Sequence, residues 1–309
     1  MYQTYNKVVI AATGETVGTG WLPPMPDLRD YTDAHPKIVE AKEALKIQAA
    51  PKTIPPLVDL RACCSQIENQ GNLGSCSAHA GMGIVEYYER KAFGKYVDGS
   101  RLFLYKTTRN LMQVTGDTGA WLRNVMAALV RFGVPEEKYW PYSDSAQVNP
   151  LTQVPTFDTE PPAFVYAVAK DFRTVSYFRH DPIGSTPDAA LNSVKTWIAA
   201  GVPAMFGFYG FPSFGNTDVP GGIPYPAPAE NAVWGHAICA VGYDDNKKIT
   251  NTKSGSATVG ALVIRNSWGT AWGQSGYGYL PYDYVTHKLA LDFWSIVSMN
   301  WFDAGNFGM

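Results

Sequence analysis

Apolar positions recur at helical spacing over residues 76–92, where Ala78, Met82, Val85 and Tyr88 fall on one face. That pattern predicts a helix packed on that side, with Gly81 and Gly83 lowering its intrinsic propensity and permitting close approach of a neighbour. A second helical pattern covers 119–132 and stops at Gly133 and Pro135; a third, Thr186–Ala200, stops at Gly201 and Pro203. A shorter amphipathic stretch runs from Pro36 to Gln48, with Ile38, Ala41 and Leu45 set against Glu40, Lys42 and Glu43. The remaining apolar runs are short and of strand type: Ala163–Phe178, then 204–209, 236–243, 259–265, 276–280 and 293–298. Helices therefore gather in the first half of the chain and strands in the second. Residues 143–162, rich in Ser, Pro, Asn and Asp, read as the crossing between them. Phe208–Pro228 is dense in Gly and Pro and long for a connection, which suggests a lid or rim. Gly20–Tyr31 reads as an extended segment fixed by Pro23, Pro24 and Pro26. No internal repeat is apparent.

The chemistry begins at Gln70-Gly71-Asn72-Leu73-Gly74-Ser75-Cys76. A thiol that opens a helix sits at the positive end of the macrodipole, which favours the thiolate. A Gln a few residues earlier can donate amide N–H groups to a developing oxyanion. A nucleophilic Cys needs a base, and the base needs an orienting group. Of the five His, His236 stands at the start of the apolar run Trp234-Gly235-His236-Ala237-Ile238-Cys239-Ala240-Val241-Gly242-Tyr243. Asn266 follows the apolar run Leu262-Val263-Ile264-Arg265 and precedes Ser267-Trp268-Gly269. Its side-chain oxygen can accept from an imidazole N–H and aim the ring, and Trp268 is placed to shield the pair. His79, one turn after Cys76, reads as a packed core residue; His35, His180 and His287 read as loop or surface residues.

These residues together resemble the papain-like cysteine peptidases. The resemblance covers about residues 54–309 and rests on Ile54-Pro55-Pro56-Leu57-Val58-Asp59-Leu60-Arg61, which looks like a mature N-terminus. It rests further on Gln70 to Cys76, on His236-Ala237 with Val241-Gly242-Tyr243, and on Asn266-Ser267-Trp268-Gly269 followed by Trp272-Gly273 and Gly276-Tyr277. Tyr139-Trp140-Pro141-Tyr142 resembles a further landmark of that family. His236 and Asn266 lie farther beyond the Cys than the usual ~130–150 residues, which implies insertions. Two departures stand beside the match: Leu73 replaces the family's usual Cys, and Ser77 replaces its usual Trp. Neither change removes an atom that does chemistry.

The resemblance implies an α+β fold of two lobes, a helical left lobe and an antiparallel β-barrel-like right lobe, with the active site in the cleft between them. It divides the chain into a prosegment, 1–53, and a peptidase domain, 54–309, itself split into lobes at about 62–160 and 161–309. It implies a peptide-bond hydrolase whose catalytic residues are Cys76, His236, Asn266 and Gln70. Gly119, Gly235, Trp268 and Gly207 are then the expected substrate-binding positions. Gly119 falls in Gly116-Asp117-Thr118-Gly119, a wall that pairs with an extended backbone. The expected partners are a peptide or protein substrate and the chain's own N-terminal segment as an intramolecular inhibitor, with removal expected near Ile47–Ile54. A transglutaminase-like acyl transferase and a catalytically silent peptide-binding module are the competing readings.

Composition narrows the classes. The chain has 309 residues, 46% hydrophobic and 13% aromatic, enough for two packed lobes. Net charge is −2 and there is no basic run, which argues against nucleic acid as a partner. No apolar stretch approaches the ~20 residues that span a bilayer. The four cysteines, Cys63, Cys64, Cys76 and Cys239, form no C-x-x-C and no His/Cys cluster, so neither a metal nor another cofactor is expected. Cys239 reads as a buried small hydrophobe. Few or no disulfides and no recognisable signal peptide fit a cytoplasmic protein, or one exported by another route.

Overall fold

A computed structural model describes residues 7–11, 13–25, 27–44, 54–144, 156–170, 174–299 and 302–303. Strands β1 (Lys7–Val9) and β2 (Thr16–Gly18) form an antiparallel hairpin, and α1 (Pro36–Ala44) follows. The rest of the helix expected to Gln48, the expected processing region up to residue 53, and most of the expected crossing lie outside the described residues.

After β3 (Leu57–Asp59) the helical half is built from α2 (Cys76–Phe93), α3 (Arg101–Met112) and α4 (Leu122–Arg131), which pack on one another. Helix α2 is buried over its first 14 residues, so its apolar stripe is wider than the one face counted in the sequence. It ends at Gly94, whose φ of +70° suits the residue type and whose N–H caps Arg90 O. Helix α3 begins at Ser100, whose hydroxyl accepts from Phe103 N–H at 3.1 Å. Nothing in the sequence pattern singled α3 out, because Arg101, Lys106, Thr107, Thr108 and Arg109 interrupt its apolar spacing. All five are nonetheless buried. The two arginines are buried with partners. Arg101 Nη2 donates to both carboxylate oxygens of the fully buried Glu86, at 2.8 and 2.9 Å, and Arg109 is held by Asp158 and by Phe157 O.

The expected strand Ala163–Phe178 is corrected. Its first half is a helix, α5 (Ala163–Ala169), starting after Pro162, and only β4 (Thr174–Arg179) is extended. Short apolar runs do not discriminate the two conformations; here Tyr166 packs edge-on against Phe103 and Phe132 of the helical half, which selects the helix.

The strand half follows α6 (Pro187–Ala199), whose N-terminus is capped by the Thr186 hydroxyl. Strands β5 (Ala204–Gly210), β6 (Trp234–Thr250), β7 (Ala257–Arg265), β8 (Tyr277–Pro281), β9 (Ala290–Met299) and β10 (Phe302–Asp303) pair in the order β10-β9-β5-β6-β7-β8. Helix α7 (Tyr282–Thr286) links β8 to β9. Strand β3 adds to β6 and β4 to β9, so the first residues of the expected peptidase domain are stitched into the sheet of the second half. All of these pairings are antiparallel. The fold is thus α+β, as expected. The four cysteines form no disulfide. No helix among the described residues is long and apolar enough to cross a membrane.

Candidate active site

Cys76 is the first residue of α2 and is fully buried. Strand β6 brings His236 to the same region, since Ala237 N–H points at Cys76 Sγ at 3.4 Å. Asn266 follows directly on β7, the neighbour of β6, so adjacent strands place the two side chains together. Asn266 Oδ1 is 2.8 Å from His236 Nε2 and also accepts Ser267 N–H at 2.8 Å. An atom that accepts a backbone N–H is the amide oxygen, so His236 Nε2 carries the proton in this bond. The other ring nitrogen, Nδ1, is then the basic one; it is buried without a hydrogen-bond partner among the described residues. Trp268 stacks on the imidazole, centroids 4.4 Å apart and planes 26° apart.

Gln70 is buried on a loop tied to the Asn266 segment: its backbone N–H donates to Ser267 O at 2.8 Å. Ser267 Oγ donates to Gln70 Oε1 at 2.6 Å, which turns Nε2 the other way. Tyr142, from the recognised landmark, donates its hydroxyl to Gln70 O at 2.8 Å. The loop before Cys76 is also bound to the Gly116–Gly119 segment. Asp117 accepts Gly74 N–H at 3.0 Å and the Tyr105 hydroxyl at 2.6 Å, and Tyr105 in turn accepts Gly119 N–H at 3.1 Å.

The N-terminal segment runs through this constellation. Gln70 Nε2 donates to Gly18 O at 3.0 Å, besides Leu73 O at 2.8 Å. Gly20 and Trp21 N–H both donate to Gly235 O, at 3.1 and 3.2 Å, while Gly20 O accepts Ala120 N–H at 2.8 Å and Leu22 N–H reaches Ala120 O at 3.2 Å. The approach is close: a Cβ on Gly20 would lie 2.3 Å from Gly74 O, and one on Gly119, at φ +71°, would lie 2.1 Å from Gly20 O. Gly207 admits the Trp21 indole, for its Cβ would fall 1.9 Å from Cε2. Of the four residues expected to bind substrate, Gly119, Gly235 and Gly207 meet Gly20 and Trp21, whereas Trp268 packs on His236 instead.

Burial decides the protonation states. The Cys76 thiol is pushed up to about 12 by desolvation, against the backbone N–H groups of Ala237, Ser77 and Gly20. His236 is pushed down to about 4 by desolvation, against the Asn266 bond. Both shifts favour the neutral thiol and the neutral imidazole in this buried arrangement, the opposite direction from the thiolate expected at an open helix N-terminus.

His79 is buried, its Nδ1 turned back to Ser75 O at 3.1 Å. His180, expected on the surface, is buried between the hydroxyls of Ser193 and Ser295 at 2.9 and 2.8 Å and against Phe178, because β4 enters the sheet. Cys239 is buried as expected. Phe208–Pro228 supplies one wall of a cavity of about 690 Å³, residues 7–11 and Trp272 supplying others. No group of His, Cys, Asp or Glu among the described residues has a metal-binding arrangement. Sequence reasoning did not single out Ser267 as a ligand of Gln70, nor Trp21 and Asp292. Ser267 had a signal, its place between Asn266 and Trp268; the other two had none, being joined only by folding.

Residues 54–289 match the papain family of cysteine proteases. A peptidase C1-like protein of Acanthamoeba polyphaga mimivirus, itself uncharacterized, is 33% identical over 293 residues, 90% of this chain and 86% of its own length. Chicken (Gallus gallus) cathepsin K is 25% identical over 230 residues, 72% of this chain and 58% of its own length. Among solved structures, xylellain, a cysteine protease from Xylella fastidiosa, superposes with a TM-score of 0.69 at 30% identity, over 90% of this chain and 95% of that one. Similarity of this extent, over a fold that brings the expected thiol, imidazole and carboxamide together, shows that the chain belongs to the papain family and is a cysteine-type peptidase, a hydrolase of the thiol protease class.

Proposed function

We propose that Cys76, His236, Asn266 and Gln70 carry out peptide-bond hydrolysis and that the chain is a proenzyme, with a prosegment 1–53 over a peptidase domain 54–309. In the open cleft Cys76 gives its proton to His236 Nδ1, and the thiolate attacks the substrate carbonyl carbon. Gln70 Nε2 and the Cys76 backbone N–H hold the oxyanion. His236 then protonates the leaving amine, which departs and leaves an acyl-enzyme. A water molecule, deprotonated by His236, releases the acid and returns the thiol. Asn266 keeps the proton on Nε2 and the base on Nδ1 throughout. Peptide or protein is the substrate, bound along Gly119, Ala120 and Gly235, with Gly207 under one side chain and Trp268 over the imidazole.

The observation that carries this reading is the Gly18 carbonyl on Gln70 Nε2: a peptide carbonyl already rests on the proposed oxyanion donor. A segment held there competes in cis with any substrate, at high effective concentration. The test incubates the full chain and its Cys76→Ala form at mildly acidic pH with casein, and follows products and chain mass by mass spectrometry. The wild type is expected to cleave casein and to lose residues near 47–54, with epoxide labelling of Cys76 rising as they go; Cys76→Ala does neither. Casein left intact by a trimmed chain whose Cys76 stays unlabelled sinks the reading.

A further inference from the structure

Trp21 is completely buried. Its ring sits on Gly207, edge-on to Tyr209 with centroids 5.1 Å apart. The far end of the indole is not merely packed: Nε1–H donates to Asp292 Oδ2 at 3.2 Å. Asp292 is 1% exposed and was not among the residues that the sequence singled out. Its placement is built. The residue adopts φ +67°, a left-handed conformation that Asp tolerates better than most side chains. Asp181 holds it there by accepting both Asp292 N–H at 2.6 Å and Phe293 N–H at 3.0 Å. Trp294 Nε1–H donates to the second carboxylate oxygen at 2.7 Å, and the Arg179 guanidinium lies 3.8 Å away. One oxygen is thus committed within the domain, and the other faces the pocket that Trp21 fills.

We infer that Asp292 is a specificity-determining residue, and that the pocket over Gly207 selects substrates with a tryptophan side chain, whose ring N–H reaches Asp292 Oδ2. The inference rests on the peptidase reading above and names its substrate class. When the segment leaves, Asp292 Oδ2 loses its donor and faces the emptied pocket. An apolar side chain entering the pocket leaves that oxygen unsatisfied, whereas an indole replaces the lost bond. Sites built to bond a substrate N–H discriminate strongly against analogues without it, because the protein's own buried group is left unpaired.

The test uses the full chain carrying Trp21→Gly, which vacates the pocket, and two fluorogenic peptides identical except at one residue. One carries tryptophan and the other 3-benzothienylalanine, which keeps the ring shape and replaces the N–H with sulfur. The expected result is at least about tenfold higher kcat/KM for the tryptophan peptide, with the ratio falling towards one when Asp292→Leu is added. Equal rates for the two peptides, or a ratio that survives Asp292→Leu, overturn the assignment. If Asp292→Leu does not fold, the same question is asked of Asp292→Asn. Its amide oxygen still accepts but carries no charge, so the ratio is expected to fall to an intermediate value, and an unchanged ratio again overturns it. Casein hydrolysis and epoxide labelling of Cys76 run alongside. Casein cleaved with a peptide ratio of one defeats the pocket assignment alone, whereas casein uncleaved and Cys76 unlabelled defeats the peptidase reading and the inference with it.

Discussion

Asn266 Oδ1 serves two donors, His236 Nε2 and Ser267 N–H, so the amide cannot rotate without breaking both bonds. Ser267 repeats the device on the other side of the site, fixing Gln70 through Oε1. Truncating it to Ala frees the Gln70 amide to turn its oxygen towards the bound carbonyl. Ser267→Ala is therefore expected to lower kcat roughly tenfold, the worth of one hydrogen bond, with little change in KM. Steady-state kinetics on a single fluorogenic peptide reads both quantities. A rise in KM alone would place Ser267 in substrate binding instead. The four proposed catalytic residues were legible because each lies in a short motif whose chemistry is local. Trp21 and Asp292 were not, since they stand 271 residues apart and meet only across the folded cleft.

Among the elements, periodicity gave α2, α6 and the central strands of the sheet, all of which bury apolar side chains in regular order. It failed at α3 and α5 for opposite reasons. Helix α3 hides its period behind buried charge, and α5 is an apolar run with no period long enough to read. The charge in α3 has a measurable consequence. Glu86 of α2 accepts from Arg101 of α3, from Ser65 Oγ at 2.5 Å and from Gly99 N–H at 3.2 Å. Glu86→Ala leaves the buried Arg101 guanidinium with the Gly99 carbonyl and two more exposed carboxylates, Asp98 and Glu68, and no buried counter-charge. A loss of about 3–5 kcal/mol in unfolding free energy is expected by urea denaturation. A loss below about 1 kcal/mol would show that the α2–α3 contact is held by its apolar side chains instead.

Across the molecule, the N-terminal segment bonds to Ala120 just before α4 and to Gly235 in β6, so it joins the helical half to the strand half. The molecule's response to acid draws on buried imidazoles outside the site as well. Burial lowers His180 to about 3. The unfolded chain takes up that proton first, near pH 6.5, so this stability is present above pH 6.5 and is lost as pH falls through about 3. Between pH 7 and pH 5 the loss amounts to roughly 2 kcal/mol. His180→Gln is expected to lose that much less stability than wild type over the interval, as read by urea midpoints at the two pH values; parallel losses would put the acid sensitivity elsewhere. The seat of Trp21 has a last consequence, which is optical. An indole sealed from water, beside a carboxylate and edge-on to Tyr209, emits differently from one in solvent. Its departure should redshift a fraction of the chain's intrinsic fluorescence, which comes from nine tryptophans. Subtracting a Trp21→Phe trace isolates that fraction, so the proposed departure of the segment can be timed without any added label.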